Sequence, residues 1–251
     1  PNGPVEVDKD GNVTIPTVNG PITVDPAGTI TVPNQDGTTT VINPNGTVDL
    51  PNGAGTITPE GGDATVEEDG SVKIPTQDGE ITVDPEGNMT VPNGGAHDTE
   101  IEAGADVTVD ENGVTVNPNG TVINPDGTVD LPNGAGTIQP NGPVEVDKDG
   151  NVTIPTVNGN IIVDKDGNIK IPTTNPQDQD TTIHANGNVT LPNGSVVDPN
   201  GPVTLDPNGT VNIPADEGDI TVDKDGDMTV PNGGAHDTEI EAGADTDVEL
   251  D

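Results

Sequence analysis

The sequence predicts an all-β chain, an elongated repeat fibre of short strands built on a two-strand unit of about 17 residues. Three observations predict it. Apolar residues come in pairs two positions apart, the pairs recur at a spacing of eight or nine, and long stretches of sequence are duplicated letter for letter.

The pairs are Val5 and Val7, Val13 and Ile15, Ile22 and Val24, then Ile30 and Val32. The same beat resumes at Val72 and Ile74, Ile81 and Val83, Met89 and Val91, and again from Val144 through Ile171. Within each pair a Thr or another polar residue usually stands between the two apolar ones. This is the period of a strand with one buried face, because successive side chains point to opposite sides of a sheet. Helical spacing is absent from the sequence.

Between strands the turns are of two kinds. The first is a short corner ending in Gly, such as DPAG (25–28), DPEG (84–87) and DKDG (8–11). It suits a type I turn followed by a left-handed glycine, the geometry of a hairpin with a bulge. The second begins with the Pro that closes a strand, as in PTVNG (16–20), where the missing N–H ends the ladder. The beat breaks at residues 53–66, 93–106 and 172–188, which are expected to be loops.

Duplication sets the domain organisation. PNGPVEVDKDGNVTIPTVNG stands at 1–20 and again at 140–159, and VPNGGAHDTEIEAGAD at 91–106 and again at 230–245. Both pairs share one offset, so residues 1–139 form one copy of a long β-repeat module and 140–251 a second, truncated copy. GTVDLPNGAGTI, at 46–57 and 127–138, records a shorter duplication inside the first. Pro1 starts at the same repeat phase as Pro140, which predicts that the chain is a segment of something longer.

Strands of about five residues cannot stand alone, so each must bury its apolar pair against a neighbour, and stability accumulates along the repeat. A single-chain β-solenoid achieves this by stacking one two-strand unit as a rung on the last; an intertwined trimer achieves it by pooling the pairs of three chains on one axis. GPITVDPAGTITVP (20–33) and GPVTLDPNGTVNIP (201–214) resemble the shaft repeats of viral fibres that form a triple β-spiral. That resemblance implies a trimeric shaft; the breaks at 53–66, 93–106 and 172–188 depart from a uniform spiral, so the solenoid is the expected architecture and the intertwined trimer its alternative.

Composition narrows the function. The 251 residues carry a net charge of -39, with 45 acids against six basic residues, all Lys, and there is no Phe, Tyr, Trp or Cys. Nucleic acid is not an expected partner, because phosphate binding draws on Lys and Arg and base stacking on aromatic rings. Membrane insertion is not expected either, since no run of about 18 apolar residues occurs. The absence of Cys leaves the redox compartment open.

Two sets of residues are candidate cation ligands. In HDTEIEAGAD, Asp98, Glu100 and Glu102 alternate along an expected strand, so their carboxylates share one face, with His97 adjacent. The duplicate supplies His236, Asp237, Glu239 and Glu241. Carboxylates about 7 Å apart repel one another unless a cation intervenes; oxygen donors suit Ca2+, and a His would favour a transition metal. The second set is the DKDG corner, with Asp8 and Asp10 and their copies Asp147 and Asp149. There the glycine falls too early for a helix–loop–helix calcium loop, and a plain turn explains the same residues.

With no Cys, two Ser and three His, no nucleophile–base constellation is visible, so the chain is expected not to be an enzyme. The expected function is that of an extracellular or cell- or virion-surface structural protein: a stiff, acidic filament, stalk or shaft that self-associates into a trimer or filament. The alternatives are a calcium-dependent adhesin extender and an ice-binding β-solenoid, the latter suggested by the TIT triads at 29–31 and 56–58.

Overall fold

The structure, a computed structural model, describes residues 2–110, 113–175, 179–232 and 236–244. Almost all regular structure in them is β. The chain divides into two units. Unit 1 takes residues 1–117, 124–127 and 145–150, and unit 2 takes the remainder.

In unit 1 the strands are β1 (Glu6–Val7), β2 (Val13–Thr17), β3 (Gly20–Val24), β4 (Ile30–Pro33), β5 (Thr39–Ile42), β6 (Val48–Asp49) and β7 (Thr56–Ile57), which form one meander. A second follows with β8 (Thr65–Val66), β9 (Val72–Thr76), β10 (Gly79–Val83), β11 (Met89–Val91) and β12 (Thr99–Ile101). The hairpin of β13 (Val107–Asp110) and β14 (Gly113–Val116) completes the order.

Unit 2 holds β15 (Thr121–Ile123), β16 (Val129–Asp130) and β17 (Thr137–Ile138). β18 (Val144–Val146) has its last two residues in unit 1, and unit 2 continues with β19 (Val152–Thr156), β20 (Gly159–Val163), β21 (Ile169–Ile171), β22 (Thr181–Ile183), β23 (Val189–Thr190) and β24 (Val196–Val197). The last meander is β25 (Thr204–Leu205), β26 (Val211–Ile213), β27 (Ile220–Val222), β28 (Met228–Val230) and β29 (Thr238–Ile240).

Within these meanders each strand pairs antiparallel with its neighbour in sequence, as in Ile74 opposite Ile81 and Val152 opposite Val163. Among the described residues the strands form antiparallel meanders, and no closed solenoid, the expected architecture, is found. The corners decide this. Gly28 N donates to the Asp25 carbonyl (3.0 Å) and Asp25 N to the Thr29 carbonyl (3.0 Å), with Gly28 at φ 95, so the chain reverses at once and returns alongside the strand it left. The expected loops also carry strands: β7 and β8 within 53–66, β12 within 93–106 and β22 within 172–188. Their flanking turns are longer, which hid them from the regular beat.

Several apolar pairs lie inward as the alternation predicts: Val72, Ile74, Ile81, Val83, Val152, Ile154, Ile161 and Val163 are all buried, while Val5 and Val7 are exposed. Each such side chain contributes about 1.5–3 kcal/mol relative to exposure. In unit 1 the β1–β7 sheet meets β8–β12 turn to turn. Asn19 Nδ2 donates to the Asp69 carbonyl (2.6 Å) and Gln35 N to the Pro85 carbonyl (2.8 Å). In unit 2 the equivalent positions of the second copy repeat the scheme. Asn158 Nδ2 donates to the Asn208 carbonyl (3.2 Å) and Thr174 N to the Lys224 carbonyl (2.9 Å).

Candidate functional site

At the first DKDG corner, the Asp8 carboxylate accepts bonds from Asp10 N (2.8 Å), Asn12 N (2.9 Å) and Asn12 Nδ2 (2.8 Å). The Asn12 side chain, with help from these backbone donors, holds the Asp8 carboxyl below its ordinary range. Both Asp8 oxygens thus clamp the hairpin. Asp10 points to solvent beside Lys9 Nζ (3.5 Å). The copy behaves alike: Asp147 accepts from Asp149 N (2.9 Å), and Asp149 pairs with Lys148 Nζ (2.9 Å). The central Lys of each corner therefore neutralises the acid that follows it.

The acidic stretch is dispersed by the strand it contains. Glu100 lies at the middle of β12, exposed and opposite Thr90, while His97 and Asp98 are exposed in the turn before it. Glu102 leaves the strand and accepts from Lys148 N through Oε2 (2.9 Å), and its own N–H donates to the Val146 carbonyl (2.8 Å). In the second copy Glu239 sits opposite Thr229, and His236, Asp237 and Glu241 are exposed. Among the described residues, no group of three or more His, Asp or Glu side chains converges as a metal would require.

A groove of about 390 Å³ in unit 2 is lined by Val196, Asp198, Asn200, Asp216 and Glu217, among others, with Asn200 Nδ2 donating to Asp216 (2.8 Å). It brings together three carboxylates and one side-chain amide. No helix among the described residues is long and apolar enough to cross a membrane.

Two recurring joints were not foreseen. The first is a glycine at or shortly before the start of one strand, facing a proline at the end of the next. Gly3 meets Pro16, Gly20 meets Pro33, Gly79 meets Pro92, Gly159 meets Pro172 and Gly218 meets Pro231, each with an ideal Cβ position 2.9–3.5 Å from the ring. The second is LPNGAG, at 50–55 and 131–136. It closes on itself through Leu50 N to the Gly55 carbonyl (2.8 Å), with Asn52 in the left-handed region at φ 58. It then offers the Ala54 carbonyl to Val109 N (2.7 Å), docking β13 beside β7. In unit 2 the Ala135 carbonyl takes Leu205 N (2.7 Å) in the same way. The literal recurrence of both motifs was the signal in the sequence that could have found them.

No family model and no curated protein matches the chain. Among solved structures, a point mutant of the TCP10 domain of Danio rerio CPAP aligns over 96% of this chain and 100% of its own, at 13% identity and TM-score 0.29. The wild-type domain in complex with a peptide of Danio rerio STIL aligns over 95% and 99%, at 17% identity and TM-score 0.20. The TCP domain of Drosophila melanogaster SAS-4 in complex with a proline-rich motif of Ana2 aligns over 91% and 88%, at 11% identity and TM-score 0.18. Scores this low assign neither fold nor function to this chain.

Proposed function

We propose that this chain is a non-enzymatic structural protein, an acidic β-repeat spacer whose useful property is length, placed outside the cell or on a cell or virion surface. One observation carries the reading. The joints of the first module, Asn19 to Asp69 and Gln35 to Pro85, recur at the equivalent positions of the second as Asn158 to Asn208 and Thr174 to Lys224. A repeat that rebuilds its own joints can be extended without redesign, which is what a spacer needs. Antiparallel pairing between sequence neighbours favours a filament made along one chain over the intertwined trimer, because each strand already finds partners in its own chain. The charge of -39 opposes lateral association of such chains at low salt.

The test is the longest dimension of the single chain by small-angle scattering, compared with a chain lengthened by one further copy of the module at 1–139. The reading expects that dimension to rise in proportion to length, with unchanged circular dichroism per residue. Growth as the cube root of mass overturns it.

A further inference from the structure

One segment of sequence stands at both 1–20 and 140–159, yet the surroundings of its two copies differ. Val144 and Val146 are 2% and 1% exposed, while their sequence equivalents Val5 and Val7 are 49% and 67% exposed. What β18 has and β1 lacks is a neighbour. β18 lies next to β12, with Glu102 N donating to the Val146 carbonyl (2.8 Å) and Glu102 Oε2 accepting from Lys148 N (2.9 Å). Among the described strands β1 is the end of its sheet, with β2 on one side only.

The other half of that junction is also repeated. VPNGGAHDTEIEAGAD, which carries β12, recurs at 230–245 and carries β29. Among the described strands β29 ends its own sheet, with β28 on one side only. Thr99 on β12 is 1% exposed; its equivalent Thr238 on β29 is exposed. The chain therefore presents two strand edges whose sequences are those of a pair that already meets within it, and an open edge is a template for pairing.

We propose that β29 of one copy of this chain pairs with β1 of the next, reproducing the β12–β18 junction between molecules and joining chains head to tail. Glu241 then takes the part of Glu102, Val7 that of Val146 and Lys9 that of Lys148. The contact is heterologous, so it propagates instead of closing on a pair. Burial of Val5 and Val7 drives it, and the charge of -39 on each chain opposes it, so assembly strengthens with ionic strength as the screening length falls to about 8 Å near 0.15 M salt. The proposal rests on the spacer reading and names the partner that lengthens it.

The experiment measures mass in solution by light scattering at 0.15 and 0.5 M NaCl across a concentration series, for the full chain and two variants. Val5→Lys with Val7→Lys charges the β1 edge, and Thr238→Lys charges the β29 edge; all three positions are exposed, so thermal melting should match the parent. The parent is expected to grow with concentration, and each variant to stay at 25.3 kDa. An equimolar mixture of the two variants retains one good edge of each kind and is expected to stop at twice that mass. A parent that stays monomeric throughout, a variant that still polymerises, or a mixture that yields no dimer overturns the proposal. A capture of some other protein by the β1 edge with no self-association does so as well. None of these outcomes touches the single-chain dimension on which the spacer reading depends.

Discussion

Gly79 faces the ring of Pro92, and a Cβ on Gly79 would lie 2.9 Å from the Pro92 Cβ. The proline closes β11 while the glycine opens β10, so the ring of one strand end covers the bare backbone of its neighbour. Gly79 also has φ 142, a conformation that side chains resist. Gly79→Ala is therefore expected to destabilise the chain by about 1–3 kcal/mol through strain and collision together. Gly62→Ala, facing Pro75 at 3.7 Å without a positive φ, is expected to change stability little. Urea unfolding of both variants checks the order; equal effects would remove the ring contact as the cause.

The hydroxyls of Thr40, Thr99 and Thr121 are buried without a hydrogen-bond partner, on inward strand positions where other strands carry Val or Ile. An unsatisfied buried polar group costs about 1–3 kcal/mol. Thr121→Val keeps the shape and the β-branch and is expected to raise stability by about 1 kcal/mol. At Thr17 the same replacement has the opposite sign, because that hydroxyl donates to the Gly20 carbonyl (2.5 Å). A pair of thermal melts distinguishes the two.

Acid should loosen the corners. The Asn12 side chain holds the Asp8 carboxyl low, and the Ser71 hydroxyl does so at Asp69. At Asp164 burial pushes upward, but the Asn168 side-chain and backbone donors outweigh it and the carboxyl is again lowered. A carboxyl lowered in the folded chain stabilises it above the unfolded value of about 3.9, and that contribution disappears as pH falls through the folded value. Protonation also relieves repulsion among 45 acids, which acts the other way, so the measurement belongs in 1 M NaCl, where the screening length is about 3 Å. Under that condition the urea midpoint is expected to fall between about pH 4 and pH 2, and Asp164→Asn to weaken the dependence. A midpoint that rises on acidification contradicts the clamp role.

Period-two pairs such as Val72 and Ile74 made strands and their buried face legible, because alternation and burial are the same fact in a one-sided sheet. DPAG-type corners made the hairpins legible too, yet a choice between solenoid and meander needs the direction in which a strand returns. Gly28 at φ 95 carries that information in three dimensions, and DPAG shows it only as a turn preference. The strands β8, β12 and β22 were missed because their turns depart from the common length. For the acidic stretch, alternation put Asp98, Glu100 and Glu102 on one face, whereas the strand ends at Ile101 and Glu102 turns to the backbone of Lys148. A partner 46 positions away leaves no trace in local spacing.

The turn-to-turn bonds have a consequence at the level of the gene. Asn19 and Asp69 are 50 positions apart, as are Asn158 and Asn208, and both partners of each bond fall within a single copy of the long module. Unequal recombination that gains or loses a whole module therefore moves the donor and acceptor of these bonds together. The letter-for-letter copies at 1–20 and 140–159 are the sequence record that duplication of whole modules leaves.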